Sequence, residues 1–237
     1  MKKIMISFLI FALTIASCNT SNSALDMPGT YLMLSQTLNN NGKDTRFNSL
    51  KQLKMYTDGF FMYTQLNPSD SVSAFGVGSY TTIKDTVVES VIYNASGTAI
   101  GTPNTYHLAI DKVHEGFTQV IPEIVVQNQK NKLTEEYQEV GEKLPTPLEG
   151  IWKELKSYSI VGVDTTINNR TQYKAFYDGY FMFGHTVRDS SSKITTGIGF
   201  GTFKMNGENQ ITETDLNSTY AIIAGNSFIV DFEMDGS

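Results

Sequence analysis

Lys54-Met-Tyr-Thr-Asp-Gly-Phe-Phe-Met-Tyr63 returns 120 residues later as Lys174-Ala-Phe-Tyr-Asp-Gly-Tyr-Phe-Met-Phe183. Self-similarity of that length at a fixed offset marks one structural unit written twice. Upstream, Gly29-Thr30-Tyr31 matches Gly150-Ile151-Trp152 at offset 121; downstream, Gly76-Val77-Gly78-Ser79-Tyr80 matches Gly199-Phe200-Gly201-Thr202-Phe203 at 123, and Glu89 matches Glu213 at 124. Small loop insertions produce such a slow drift. Two tandem domains are therefore expected, residues 27–140 and 148–237. The segment between them, 141–147, contains Lys143-Leu-Pro-Thr-Pro147, the composition of a stiff extended linker.

Within each copy the strongest local signal is Asp58-Gly59 or Asp178-Gly179, because a two-residue type I′ turn needs positive φ at both positions and Asp-Gly tolerates it. The flanking strands are predicted over Leu50–Tyr56 with Phe60–Gln65, and over Thr171–Phe176 with Tyr180–Val187. Gly-Val-Gly and Gly-Phe-Gly open the next strands, Ser79–Ile83 and Thr202–Met205, where missing side chains permit a bulge that curves the sheet. Val87–Tyr93 and Ile211–Leu216 follow, then Thr105–Ile110 and Tyr220–Ile223, then Phe117–Val120 and Phe228–Phe232. With Tyr31–Leu38 at the start and Lys132–Glu139 at the end, the first copy holds about eight strands, enough to close a barrel around side chains or a small ligand.

The second copy ends nine residues past Phe228, whereas the first continues 23 past Phe117, so one closing strand is missing. That barrel is open at an edge, or a segment such as Asn19–Met27 pairs there, or the sequence is cut short. The predicted fold is all-β: two tandem antiparallel β-barrels, the second incomplete. Composition agrees. With 40% hydrophobic residues extended disorder is excluded, and 26 Tyr and Phe beside 19 Gly favour aromatic strands joined by tight turns. A net charge of −6 gives no electrostatic footprint for nucleic acid.

Ahead of the repeats, Lys2 and Lys3 precede an apolar run from Ile4 to Ile15, and small residues follow. This is the order of a cleaved export leader, residues 1–17, and the run is shorter than the roughly 20 residues a spanning helix needs. Ile15-Ala16-Ser17-Cys18 resembles the lipobox of bacterial lipoproteins, which implies lipidation of Cys18, the chain's single cysteine. Several acyl chains together anchor a protein stably to a membrane. Residues 18–26 would then be a lipidated cysteine and polar tether. Asn19 resembles the residues that permit sorting to an outer membrane, so the expected location is the cell envelope, at its periplasmic or outer face.

A glycine followed by an aromatic on the first strand, a Tyr-x-Asp-Gly-Tyr/Phe-Phe hairpin, and Gly-x-Gly-Ser/Thr-Tyr/Phe leading to a glutamate strand together resemble the bacterial lipocalin-like domains of the calycin group. Gly150-Ile151-Trp152 resembles the lipocalin Gly-x-Trp start, whose tryptophan closes the barrel floor; Tyr31 stands in that place in the first copy. The resemblance spans nearly all of residues 27–237. It implies a β-barrel and a binding cup, not an established reaction, and the second and third lipocalin signatures are not visible.

The residues offer little chemistry of another kind. His107, His114 and His185 share no metal-ligating spacing and read as surface or partly buried groups. There is no Gly-x-Ser-x-Gly elbow, and turn geometry accounts for Asp58 and Asp178. No enzyme activity and no cofactor are expected, although a calycin-like enzyme is a third class. Glu89 and Glu213 could each hold a ligand's polar head inside a barrel, or point outward, since Val87/Glu89/Val91 and Val88/Ser90/Ile92 are both plausible inner faces. Tyr56, Phe60, Phe61 and Tyr63, with Phe176, Tyr180, Phe181 and Phe183, could line cups or pack cores. The leading expectation is a membrane-anchored protein binding a small apolar ligand. The alternative is a solid-barrelled envelope module that contacts a protein or glycan through loops such as Asn94–Asn104.

Overall fold

The computed structural model describes residues 25–234 apart from 70, 71, 98 and 127. The leader, Cys18 and most of the tether lie outside the described residues. The chain is all-β. Its first half comprises β1 (Gly29–Asn40), β2 (Lys43–Phe47), β3 (Lys51–Tyr56), β4 (Phe60–Asn67), β5 (Val72–Ile83), β6 (Thr86–Asn94), β7 (Ala99–Val113), β8 (Gly116–Val126) and β9 (Gln129–Val140). From β3 to β9 each strand pairs antiparallel with the next around a cylinder, and β1 joins β3 to β9, running from Thr30 opposite Val140 to Asn39 opposite Lys132 and closing an eight-stranded barrel. The lower part of β1 pairs with β3, and its upper part with β2, which stands outside the ring as the return arm of a hairpin.

The second half comprises β10 (Gly150–Lys153), β11 (Tyr158–Val161), β12 (Asp164–Ile167), β13 (Arg170–Tyr177), β14 (Tyr180–Arg188), β15 (Ile194–Met205), β16 (Gln210–Ser218) and β17 (Ser227–Asp231). Six of them form a sheet in the order β10-β13-β14-β15-β16-β17, and β11 with β12 make a separate hairpin. Among the described residues β10 and β17 have no further neighbour, so this sheet stays open. Tyr220–Ile223, expected as a strand, is a turn: Tyr220 carbonyl accepts from Ile223 and Ala224 amides at 3.0 and 3.1 Å, and Ser218 Oγ caps the Tyr220 amide. Apolar residues there mimic strand alternation, but Gly225 at φ 77° completes a tight return. The strand after β16 is thus β17, with Phe228 opposite Glu213 as Tyr106 is opposite Glu89. β17 answers to β7 rather than to β8. Among the described residues the second sheet holds no counterpart of β8 or of β9, two strands rather than the one expected.

Two further expectations change. Asn94–Asn104 is not a long loop, because β7 begins at Ala99 and pairs it with Tyr93. The Asp178-Gly179 tip has positive φ at both residues, 51° and 76°, as a type I′ turn requires, but at the other tip only Gly59 is positive, and Thr57 N–H reaches Phe60 carbonyl across a wider turn at 2.8 Å. The glycine pairs do bend the sheet. Register slips at Val77/Gly78 and again at Phe200/Gly201, and a Cβ would fall 2.0 Å from Ser90 carbonyl oxygen in the first case and 2.0 Å from Thr214 carbonyl oxygen in the second. Only glycine fits such a crossing.

The halves meet through a shared apolar layer. Leu53, Met55, Met62, Phe75 and Val77 on the barrel's outer wall pack with Tyr173, Ala175, Met182, Ile198 and Phe200 of the open sheet. These are the same five positions of the repeat on each side, so the contact is close to self-matching. Gly184 leaves room for Phe75, against whose ring a Cβ would press at 2.5 Å. Tyr93 OH and Thr186 Oγ1 share a buried hydrogen bond of 2.5 Å, and Thr30 Oγ1 donates to Tyr177 carbonyl at 3.1 Å.

Candidate functional site

Alternation on the barrel strands puts Gln52, Lys54 and Tyr56 of β3, Phe61, Tyr63 and Gln65 of β4, Val87, Glu89 and Val91 of β6, and Leu133, Glu135 and Tyr137 of β9 inside. The lower end is packed solid. Met27, Tyr31, Tyr56, Phe61, Leu108, Ile110 and Phe117 fill it, with Tyr31 edge-on to Phe117 at 4.8 Å and its hydroxyl donating to Met27 carbonyl at 3.0 Å. The upper end is hollow, a cavity of about 580 Å³. Its size is that of a small-molecule site.

A connected polar layer separates the plug from the cup. Lys54 Nζ lies 2.6 Å from Glu89 Oε1 and donates to Gln119 Oε1 at 3.0 Å. Tyr56 OH donates to the same Glu89 oxygen at 2.5 Å. Gln119 and Tyr137 donate to Glu135 Oε2, and Gln36 donates to Glu135 Oε1 at 2.7 Å. Gln52 bonds to Tyr137 OH, and Gln65 reaches Gln52 at 2.6 Å. Lys54 also sits 5.1 Å above the Tyr56 ring centroid, a further favourable setting for a buried ammonium. Burial and the neighbouring carboxylates push the Tyr56 and Tyr137 hydroxyls well above their ordinary value, with Glu89 acting on the first and Glu135 on the second. Both stay protonated and serve as donors. Tyr63 OH is pushed up by burial and by Glu89 and Glu135. Buried ions persist only when satisfied in this way.

Of the residues singled out from sequence, Glu89 and Tyr63 line the cavity. Tyr56 and Phe61 lie beneath it in the packed plug, and Phe60 is exposed. Lys54, Gln52, Gln119 and Glu135 were not foreseen. Lys54 had a signal: it recurs as Lys174 within the repeat, just as Glu89 recurs as Glu213, so two acids and two bases keep step. Gln119 and Glu135 belong to the strands the second half lacks and had no echo to betray them.

The open sheet holds a pared-down version of the site. Lys174 Nζ lies 2.5 Å from Glu213 Oε1, over a base of Phe176, Phe181 and Phe203 with Phe183 packed at their edge. Trp152 takes the place of Tyr31 and donates to Leu148 carbonyl at 2.8 Å, as Tyr31 does to Met27, but stays 43% exposed. Asp215 is buried beside Glu213; desolvation first and Glu213 second raise its pKa to about 7, against the pull of Lys174. His185 is buried, contrary to the expected surface or half-buried setting. It stacks between Phe183 and Tyr220, accepts or donates a 2.7 Å bond with Tyr220 OH, and burial together with Arg170 lowers its pKa to about 4. Among the described residues no cluster of three metal-ligating side chains occurs.

No protein-family model, no curated protein and no solved structure matches the chain.

Proposed function

We propose that this is a non-enzymatic binding protein of lipocalin-like type, built from two tandem copies of one unit and held to a bacterial envelope membrane through lipidated Cys18, whose closed barrel takes a small molecule into its upper cup. The observation that carries this reading is the cavity of about 580 Å³ above a fully connected polar floor in the same barrel whose lower end is solid. A protein that needed the barrel only as a scaffold gains stability by filling that volume, since protein interiors are otherwise close-packed. The apolar walls, Val91, Ile121 and Leu133, suit a ligand's hydrocarbon face, while Glu89, Gln36 and Tyr63 give it polar anchors, so the ligand is amphipathic rather than purely apolar. Native mass spectrometry of the mature protein isolated from its own envelope tests it. A retained small molecule at one per chain is expected; a bare chain, together with a crystal structure in which the cup is filled by its own side chains, overturns it. For the anchor, Cys18→Ser is expected to release the protein from the membrane fraction.

A second reading draws on one observation, the unpaired β10 and β17 edges among the described residues. Exposed edges invite strand addition, so contact with an extended segment of another envelope protein would use the second half. A pull-down in which proline substitutions in β17 leave every specific partner bound removes it.

A further inference from the structure

The polar floor of the cup carries an unbalanced charge. Lys54 is matched by Glu89 at 2.6 Å. Glu135, only 5% exposed, forms no salt bridge with a cation among the described residues; its donors Gln36, Gln119 and Tyr137 are all neutral. Glu123 also lines the cavity, but at the rim, where Lys130 pairs with it at 2.8 Å in the open. The floor thus holds two carboxylates against one ammonium. A carboxylate taken out of water without a counter-charge is costly. Carboxylate oxygens each offer two acceptor positions, and Oε1 of Glu135 has a single donor, the Gln36 amide at 2.7 Å. Both Gln36 and Glu135 line the cavity, so an incoming donor can join or displace that amide without breaking the Lys54–Glu89 pair.

Building on the binding reading above, we propose that the cup selects ligands carrying a protonated amine, with Glu135 as the counter-ion. An ammonium at Glu135 supplies the absent positive charge and forms a hydrogen bond in which both partners are charged, whereas a neutral donor leaves the carboxylate without a counter-ion. The hydrocarbon body of such a ligand lies against Val91, Ile121 and Leu133. An anionic head placed there meets Glu135 with no free cation among the described residues to offset it, since Lys54 is already engaged by Glu89 and Gln119. The tyrosine hydroxyls of the floor, held protonated, donate and cannot supply charge.

The test uses three probes with the same indole ring and two-carbon arm: tryptamine, tryptophol and indole-3-acetate. Isothermal titration of the mature chain is expected to show tryptamine binding about tenfold tighter than tryptophol, because only the amine matches the carboxylate with a positive charge, with indole-3-acetate weakest. In Glu135→Gln the tenfold gap is expected to close, because the variant removes the charge that only the amine matches, and tryptamine then binds no tighter than tryptophol. Should that variant fail to fold, Gln36→Lys places a cation of the chain's own beside Glu135 and is expected to abolish the amine preference equally. Indole-3-acetate binding as tightly as tryptamine, or an amine preference surviving in both variants, overturns the inference and leaves the cup standing. Failure of all three probes to bind overturns it too. If native mass spectrometry then also shows no retained molecule, the binding reading falls with it.

Discussion

Lys54–Glu89 and Lys174–Glu213 are the same pair on corresponding strands, yet they live in different media. In the closed barrel the lysine and glutamate side chains are 3% and 6% exposed; in the open sheet the values are 26% and 10%. The motif alone does not seal the ion pair. β8 and β9 do so, bringing Gln119, Glu135 and Tyr137 over the first pair, and among the described residues nothing takes their place over the second. The same residues build a cup in one half and a shallow concave face in the other.

That contrast predicts unequal responses to equal mutations. Lys54→Met strands Glu89 in the barrel interior and is expected to cost about 3–5 kcal/mol in urea unfolding. Lys174→Met removes a cation that is 26% exposed and is expected to cost less, about 1–3 kcal/mol, although Glu213 stays largely buried. Equal losses would mean that the second site is covered in solution. At the glycine crossings the two halves should instead agree, because the backbone geometry is the same: Gly78→Ala and Gly201→Ala are each expected to cost about 1–3 kcal/mol from the forced backbone shift, and a clear inequality would break the equivalence of the bulges. Tyr31→Phe removes the buried bond to Met27 and is expected to cost about 1 kcal/mol, with the half-exposed Trp152→Phe costing less.

Between about pH 4 and 7 two groups of the open half set opposing responses. Asp215, raised to about 7 in the folded chain, binds a proton more readily there than when unfolded, so its contribution to stability falls as pH rises from about 4 to 7. His185, lowered to about 4, binds its proton less readily when folded, so its contribution grows as pH rises from about 4 toward 6.5. The two oppose each other in the wild type. Thermal melts of Asp215→Asn are expected to show stability climbing through that window, and those of His185→Gln to show it declining; profiles superimposable on the wild type would remove both groups from the pH response.

The repeat made much of this fold legible. Offsets of 120 to 124 placed the Asp-Gly tips, the glycine crossings and the paired glutamates in their right order, because each reports a local backbone demand that only certain residues meet. The open edge of the second half was harder to read. Tyr220-Ala-Ile-Ile has strand-like hydrophobicity, and the hydrogen bonds that curl it into a turn come from Ser218 and from its own backbone, which periodicity does not register. The inner face of β6 was undecided between two phases, and was settled by Lys54 on a strand distant in sequence. The polar floor could not be foreseen as a unit, since it joins β1, β3, β4, β6, β8 and β9, and only the closure of the ring brings them together.

The self-matching layer between the halves has a consequence for how such a chain is held together. Either unit by itself would present to water an oily strip that fits its own image, and two free units would have to find each other by diffusion. The short 141–147 connector makes that encounter intramolecular, so docking does not weaken as the protein is diluted.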